Sequence, residues 1–492
     1  ECATILAADN NTVEVEIPSS AAFIDAAIDL SNILRKAKVE PVLRPKVVGA
    51  ITTALYAGDI APDTQDVLNE LNRLTYNVIN NSSNLNPKNK GRLIQAISLT
   101  GNDYDRLNPY IFRIISLLKQ LNIRAVLQSD ADFLGMFYEA FLRYGYDNNA
   151  MGIVFTPRHI TRLCVDLIGV NIGDKVIDLA CGTGGFLVSA FDSLKKKCTV
   201  ESSYEIVKDS LYGYDTNPTV WALSCLNMFF RGDGKSHIEN TSSLIASSKE
   251  IVKGKFNKAF LNPPFHQEGE PERDFIDASM DALIQGGTFI GVVYTGVFAD
   301  DDNSIWRNNF LHKHTLLAMI SLTNDLFYPT AAPTSIMIAK AHEPQNPNKN
   351  VFIAKIWNDG FEKLKGKRVF CPGSEIETIR EMYRKFSHGE HVSSANCTTI
   401  SASKLMGGEE YSPQQWLPSQ QLTNEQIKTL DEKTLKSLFV TISNFPEITE
   451  SITSTSIKKH ELGSKRIPLN RREPLSFFFD IKQGKSVGEK NY

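Results

Sequence analysis

Excess charge, paired cysteines and long apolar runs are all scarce in this chain of 492 residues, and each shortage removes a class of protein. The 53 Lys and Arg are outnumbered by 56 Asp and Glu, a formal charge of −3, so the molecule as a whole is no polycation. Only a local basic face would hold a polyanion. The seven cysteines (Cys2, Cys164, Cys181, Cys198, Cys225, Cys371 and Cys397) are odd in number and scattered, with no C-x-x-C pair and no paired histidine spacing. That argues against a disulfide scaffold and a structural metal site and favours a reducing compartment. No apolar run approaches the roughly 20 residues needed to span a bilayer, and the N-terminus lacks the basic-then-apolar layout of a secretion signal. The expectation is a cytoplasmic protein with no membrane segment and no metal. The chain opens on Glu1 rather than Met and stops at Asn491-Tyr492, as a piece cut from something longer would.

At about 100–200 residues per domain, the length predicts two to four domains. Residues from about Phe23 to Leu142 carry helical periodicity: Ala26, Leu30, Ile33, Leu34 and Ala37 form one apolar stripe, and Ile111, Ile114, Ile115, Leu118 and Leu121 another. Asn80-Asn81-Ser82-Ser83 and Asn86-Pro87 mark the loops between helices. After Gly152 short apolar runs alternate with amphipathic stretches. The runs Lys175–Leu179, Leu211–Tyr214, Lys258–Leu261, Thr288–Val293, Leu316–Ser321 and Ser335–Ala339 suit buried strands. This pattern predicts an α/β domain, doubly wound, with a mostly parallel sheet, and places the chemistry in loops at the carboxyl ends of its strands. The expected division is a helical N-terminal domain (1–148), a catalytic domain (149–415), a helical arm (416–450) around Leu422, Ile427, Leu430, Leu435 and Leu438, and a basic linker (451–492). The linker holds nine Lys and Arg against four Asp and Glu, a net of +5. Such asymmetry suits nucleic acid at this end, and it equally suits a solvated linker.

Two segments carry chemistry. Asp178-Leu179-Ala180-Cys181-Gly182-Thr183-Gly184-Gly185-Phe186 follows a strand-like run and leads into Leu187, Ala190, Phe191 and Leu194 at helical spacing. The glycines therefore make a strand-to-helix turn, where the backbone bends sharply and a ligand can approach closely. A dinucleotide fingerprint would need a further glycine at Leu187, and a phosphate-cradling loop would need Gly-Lys-Ser/Thr; neither is present. A plain tight turn would also account for the glycines. The second segment, Asn262-Pro263-Pro264-Phe265, follows the run Lys258–Leu261. Paired prolines stiffen a turn and leave its carbonyls free to accept hydrogen bonds. An amide, rigid carbonyls and an aromatic face together suit an aminated planar ring.

In this order the two segments resemble those of S-adenosylmethionine-dependent amino-methyltransferases. More closely, the chain resembles the modification subunit of type I restriction systems and related N6-adenine DNA methylases. The likeness extends to Leu134–Phe141, Gly152-x-x-Phe155-Thr156-Pro157, Ile320-Ser321-Leu322 with Phe327, Thr334-Ser335-Ile336, and Asn358-Asp359-Gly360-Phe361 with Lys367-Arg368. The resemblance implies S-adenosylmethionine as cofactor. It sets Phe155, Thr156, Pro157, Asp178 and Gly182 on the methionine side, Ala180, Thr183, Gly184 and Gly185 in the rest of the cofactor turn, and Asp215 at the ribose hydroxyls. A side chain introduced at Gly184 is expected to enter the methionine pocket. Asn262, Pro263, Pro264 and Phe265 become the catalytic turn: the Asn262 oxygen and Pro263 carbonyl hold the N6 hydrogens, and Phe265 stacks on a flipped base.

Two departures stand out. Asn240-Thr241-Ser242-Ser243-Leu244 stands where family members usually carry Asp, which bears on the contact to the cofactor's adenine amine. Tyr294-Thr295-Gly296 stands where a proline is common. The tail segment Phe478–Ser486 resembles the opening of a target recognition domain. The resemblance implies double-stranded DNA as partner, a specificity subunit or covalently linked recognition domain, and room for a linked nuclease in a fused restriction-modification polypeptide. The expectation for this stretch alone is cofactor binding with poor sequence-specific methylation. Two other readings use the same residues: a methyltransferase acting on protein glutamine or RNA, and a catalytically silent DNA-binding scaffold.

Overall fold

Apolar stripes in the first third of the chain become helices because each needs a neighbour to cover it. In the computed structural model, which describes residues 3–8, 11–16, 20–122, 155–265, 267, 269–328, 332–364 and 367–417, helices run over Ser20–Lys36, Arg44–Ala57, Val67–Asn81, Pro87–Ile97, Gly101–Leu107 and Ile111–Gln120. All residues of the two predicted stripes are buried. At the predicted break Asn86-Pro87, Asn86 caps a helix by accepting from the Lys88 amide; two further starts are capped by Asp66, which accepts from the Asn69 amide, and by Thr100 with Asp103 in a capping box. The first residues depart from the helical expectation. Strands β1 (Ala3–Ala8) and β2 (Asn11–Glu16) form an antiparallel hairpin, in keeping with the period-two alternation of Val13-Glu14-Val15-Glu16.

The rest is built on strands β3 (Val176–Asp178), β4 (Leu211–Tyr214), β5 (His237–Glu239), β6 (Phe256–Leu261), β7 (Leu283–Tyr294), β8 (Thr315–Ser321), β9 (Thr334–Lys340), β10 (Asn350–Lys355), the hairpin β11 (Phe361–Leu364) and β12 (Lys367–Phe370), and β13 (Cys397–Ser401). Nine of these form one sheet in the order β13-β10-β8-β9-β7-β6-β3-β4-β5. The run from β7 to β5 is parallel throughout, and β10 is parallel to β8. The exceptions are β9, antiparallel to both neighbours, and edge strand β13. Between Ser321 and Thr334 no helix is found among the described residues, in keeping with an antiparallel return, since a parallel one usually crosses over through a helix. All six predicted runs are strands. The signal at β5 was too short to read, and β10 through β13 lay beyond the runs considered.

Each strand divides its side chains between the two faces: Phe260 joins the core that includes the N-terminal helices, while Ala259 and Leu261 join the other. Helix Pro87–Ile97 docks on the β5 side, where Asn89 donates to the Ile238 carbonyl at 3.2 Å and Arg92 to the Asn240 carbonyl at 3.2 Å. Leaving β3, the chain builds β4 and β5 on one side and then returns to β6 on the other. Strand order reverses at β3, so a crevice opens between the carboxyl ends of β3 and β6. Among the described residues no helix is long and apolar enough to cross a membrane. The segment Leu134–Phe141, the arm around Leu422–Leu438 and the basic linker 451–492 lie outside the described residues.

Candidate active site

The crevice is assembled from five chain segments. Asp178 ends β3, and its Oδ1 accepts from the Ala180 amide at 3.1 Å as the chain turns. Cys181 is tied to β4 through the Tyr214 carbonyl at 2.9 Å, and the Gly184 amide closes a turn on the Cys181 carbonyl at 2.8 Å. Asn227 clamps the same turn by donating to the Thr183 carbonyl at 2.8 Å. Gly182 and Gly184 have φ of 56° and 84°, the left-handed region that favours glycine. Helix Gly185–Lys195 then begins, and Phe186 stacks on Phe260 of β6 with centroids 5.3 Å apart.

Asp215, just past β4, accepts from the Gly182 amide at 3.2 Å and from the Asn217 amide at 2.8 Å, binding the first turn to the second. Asn217 caps helix Pro218–Phe230. The segment after β5 closes this side: Asn240 donates to the Asp215 and Thr216 carbonyls, both at 3.0 Å, and Ser243 to the Leu179 carbonyl at 2.8 Å. Asn240 thus serves as a tie between loops, while Thr241, Ser242 and Ser243 face the crevice.

The fourth segment is the turn after β6, and it is joined to the fifth, the Phe-Thr-Pro stretch. The Asn262 amide donates through Nδ2 to Thr156 Oγ1 at 2.7 Å, joining the Asn-Pro-Pro-Phe turn to the Phe-Thr-Pro segment. Phe265 is half-buried, and its ring meets Phe327 edge-on with centroids 5.3 Å apart. Two lobes result. The larger, about 420 Å³, is lined by Ala180, Gly182, Asp215, Asn217, Thr241, Ser242 and all of Asn262–Phe265, with Leu179, Val220 and Phe275 as apolar walls. The smaller, about 30 Å³, is lined by Phe155, Thr156, Asp178, Thr183 and Gly185 and adds Arg158. Ala180, Gly182 and Asn262 belong to both.

Of the residues singled out in the sequence, twelve line the crevice and two stand apart. Pro157 is the N-cap of helix Arg158–Ile168. Gly184 turns away: a Cβ there would stand 2.7 Å from Ser224 Oγ, against helix Pro218–Phe230, so a side chain at this position does not point into the methionine pocket as expected. Sequence reasoning missed Arg158 and Asn217. Asn217-Pro218 carried a legible helix-start signal; Arg158 lay next to the Thr-Pro pair and carried none of its own.

Burial governs the electrostatics. It raises the Asp178 carboxyl to about 7, against the Ala180 hydrogen bond and with the nearby Asp215 charge adding to the rise. Burial likewise raises Asp215 to about 6, against the hydrogen bonds from Asn217 and Gly182.

The family pattern described as N-6 DNA Methylase matches residues 129–279 and 269–411. The chain belongs to that family. A type II restriction enzyme and methyltransferase of Heyndrickxia coagulans, RM.BcgI, is 31% identical over 286 residues, covering 56% of this chain and 45% of the relative. A type I restriction enzyme methylase subunit of Methanocaldococcus jannaschii, MjaIX, is 23% identical over 301 residues, covering 54% and 51%. The chain thus spans about half the length of these curated relatives. A crystal structure described as a modification subunit of a type I restriction enzyme from Vibrio vulnificus YJ016 shares the fold at a TM-score of 0.57 and 17% identity, over 80% of this chain and 94% of that one. The expected doubly wound fold and the family resemblance both hold.

Proposed function

We propose that the chain transfers a methyl group from S-adenosylmethionine to N6 of adenine in double-stranded DNA, as the modification component of a restriction-modification system. The observation that carries this reading is the placement of Asn262 in the wall shared by both lobes, on the rigid turn that ends in Phe265. Two ligands, one in the crevice and one on the Phe265 side, would meet at that amide.

The donor set fits the cofactor. Asp215 in the larger lobe suits ribose hydroxyls, and the Leu179, Val220 and Phe275 walls suit a purine ring. In the smaller lobe Asp178 and Arg158 offer opposite charges for an amino acid's ammonium and carboxylate. At Gly182 nothing lies within 4 Å of where a Cβ would stand, which leaves the backbone between the lobes open to a ligand. When bound, the cofactor supplies an electrophilic sulfonium methyl.

The chain's own residues have a positioning task. The lone pair of N6 is delocalised into the adenine ring, and acceptors that hold its hydrogens localise and aim it. Because Asn262 Nδ2 is committed to Thr156, Oδ1 is the end that accepts from an amine. The Pro263 carbonyl is the second acceptor, and Phe265 gives the base a stacking surface. No strong base is required beforehand, since the amine loses its proton after it has become positive. The names of the relatives, one joining nuclease and methyltransferase and one a subunit, support a larger assembly. That assembly would have a specificity subunit or covalently linked target recognition domain, and a linked nuclease.

The test is transfer of labelled methyl from S-adenosylmethionine to duplex DNA, RNA and protein offered separately. Label in DNA as N6-methyladenine is the expected result. Asn262→Ala should lose activity on the order of 100-fold or more, with cofactor affinity by calorimetry close to wild type. Label confined to RNA or protein, or a wild-type rate in Asn262→Ala, would overturn the reading.

A further inference from the structure

The two working positions of the catalytic turn are each held from outside it, and both supports lead to one buried carboxylate. Asn262 is held through Thr156, as above, and Phe265 through the Phe327 ring, whose plane lies at 82° to its own. Thr156 lies just ahead of helix Arg158–Ile168, whose first turn carries His159. His159 Nε2 is 2.8 Å from Asp359 Oδ2. On the other side, Phe327 shares a turn with Asp325, and Asp325 Oδ2 accepts from Arg368 Nε at 3.3 Å. Arg368 grips Asp359 with both arms of its fork, Nη1 to Oδ2 at 2.9 Å and Nη2 to Oδ1 at 2.6 Å. Asp359 is 2% exposed and Arg368 6%, so water cannot stand in for either partner. The β11–β12 hairpin braces the junction: Arg368 Nη2 donates to the Phe361 carbonyl at 2.9 Å, and the Phe361 ring lies 5.0 Å from His159.

We infer that Asp359 is a positioning residue that fixes the Asn262 amide relative to the Phe265 ring. This deepens the proposed reaction, and its kinetic arm rests on that reading. An adenine must meet the amide in the plane of its ring and Phe265 across its face, so only a narrow range of amide-to-ring orientations serves both. Pro263 and Pro264 restrict their own φ, but the side-chain rotations of Asn262 and Phe265 are set by Thr156 and Phe327. Asp359 ties those two supports together through His159 and through Arg368 with Asp325. Removing the junction frees both contacts without taking an atom from the crevice.

The test replaces the pair together in the full chain, Asp359→Leu with Arg368→Met. Apolar side chains substituted for both partners keep a buried site packed, whereas removing one leaves a charge stranded. Hydrogen exchange should accelerate together, by about tenfold, in peptides covering 155–160, 259–265 and 322–328, and stay unchanged at β4 and β5. Affinity for S-adenosylhomocysteine should stay near wild type, and methyl transfer at saturating DNA and cofactor should fall on the order of 100-fold. Arg368→Lys, which keeps the charge and loses the fork, should fall between the two. Faster exchange confined to the hairpin, or an unchanged rate in the paired variant, would overturn the inference. If the wild-type chain methylates no DNA, the proposed reaction fails, while the exchange result still decides whether Asp359 couples the two supports.

Discussion

Asp178 ends β3 and Asp359 lies past the end of β10, strands that run the same way through one sheet, and both residues are almost wholly buried. Their surroundings drive them in opposite directions. Among the described residues, the hydrogen bond to the Asp178 carboxylate comes from a backbone amide, and its neighbouring charge is another carboxylate, Asp215. Burial therefore prevails and the group rises to about 7. Burial opposes ionisation of Asp359 as well, but hydrogen bonds from His159 and Arg368 overcome it and hold the carboxyl at about 2. A charge left uncompensated inside the protein is costly until something positive arrives. The Asp359 junction already holds its cations, whereas the hydrogen bond to Asp178 comes from a backbone amide, in a lobe that Arg158 also lines. On the proposed function a cationic ligand would finish the electrostatics at Asp178, while the fold itself finishes them at Asp359.

The sharpest way to break this comparison is to remove each carboxylate. Asp359→Ala removes the bidentate partner of buried Arg368 and leaves it Asp325 as its remaining carboxylate, and should cost about 2–3 kcal/mol, read as a lowered urea midpoint of the full chain. A shift smaller than about 1 kcal/mol would make the junction dispensable. Asp178→Asn should act the other way and stabilise the ligand-free protein at pH 8, by up to about 4 kcal/mol, while weakening S-adenosylmethionine binding.

The two groups also differ in pH dependence. Because Asp178 titrates near 7 when folded and near 3.8 otherwise, the native state binds the extra proton between those values. Its contribution to stability therefore falls as pH rises from about 4 to about 7 and is constant above. Asp359 titrates below its ordinary value, so its stabilisation is complete above about pH 4 and is lost as pH falls toward 2. Denaturation across pH in wild type and the two variants separates these windows. Identical pH profiles in wild type and Asp178→Asn would remove the distinction between crevice and junction.

How much of this was legible depended on whether the signal was local. The Asp178–Phe186 and Asn262–Phe265 turns could be placed at strand ends because apolar runs precede them, and β4 was read to the residue. The break at Asn86-Pro87 follows a local rule as well, since Asn86 caps the helix that starts there. What escaped was long-range. Arg158 gains its position only when the Thr156 segment folds against β6, and Arg368 meets Asp325 across 43 residues of chain. Asn358-Asp359-Gly360-Phe361 and Lys367-Arg368 were visible as motifs without a role, since their meaning lies in whom they touch. The Gly184 side-chain direction was misjudged for the same reason: a run of glycines shows that the backbone turns, not which neighbour lies behind each one.

The smallest predicted effect sharpens the contrast within that single turn. Gly182 and Gly184 share the left-handed conformation, in which a residue with a Cβ pays roughly 1–2 kcal/mol. At Gly182 an added Cβ meets nothing within 4 Å, whereas at Gly184 it stands 2.7 Å from Ser224 Oγ. Gly182→Ala should therefore carry the conformational cost alone and chiefly lower cofactor affinity, because its methyl enters the space shared by the two lobes. Gly184→Ala should cost more stability, through the added collision, with affinity less affected. Ser224→Ala removes the oxygen that the new methyl would strike, so combining it with Gly184→Ala should recover part of the lost stability, and combining it with Gly182→Ala should recover none. Thermal unfolding and calorimetry on the three single and two double variants resolve these outcomes. Equal recovery in both doubles would mean that Ser224 does not distinguish the two glycines, and that the turn has no separate crevice and packing sides.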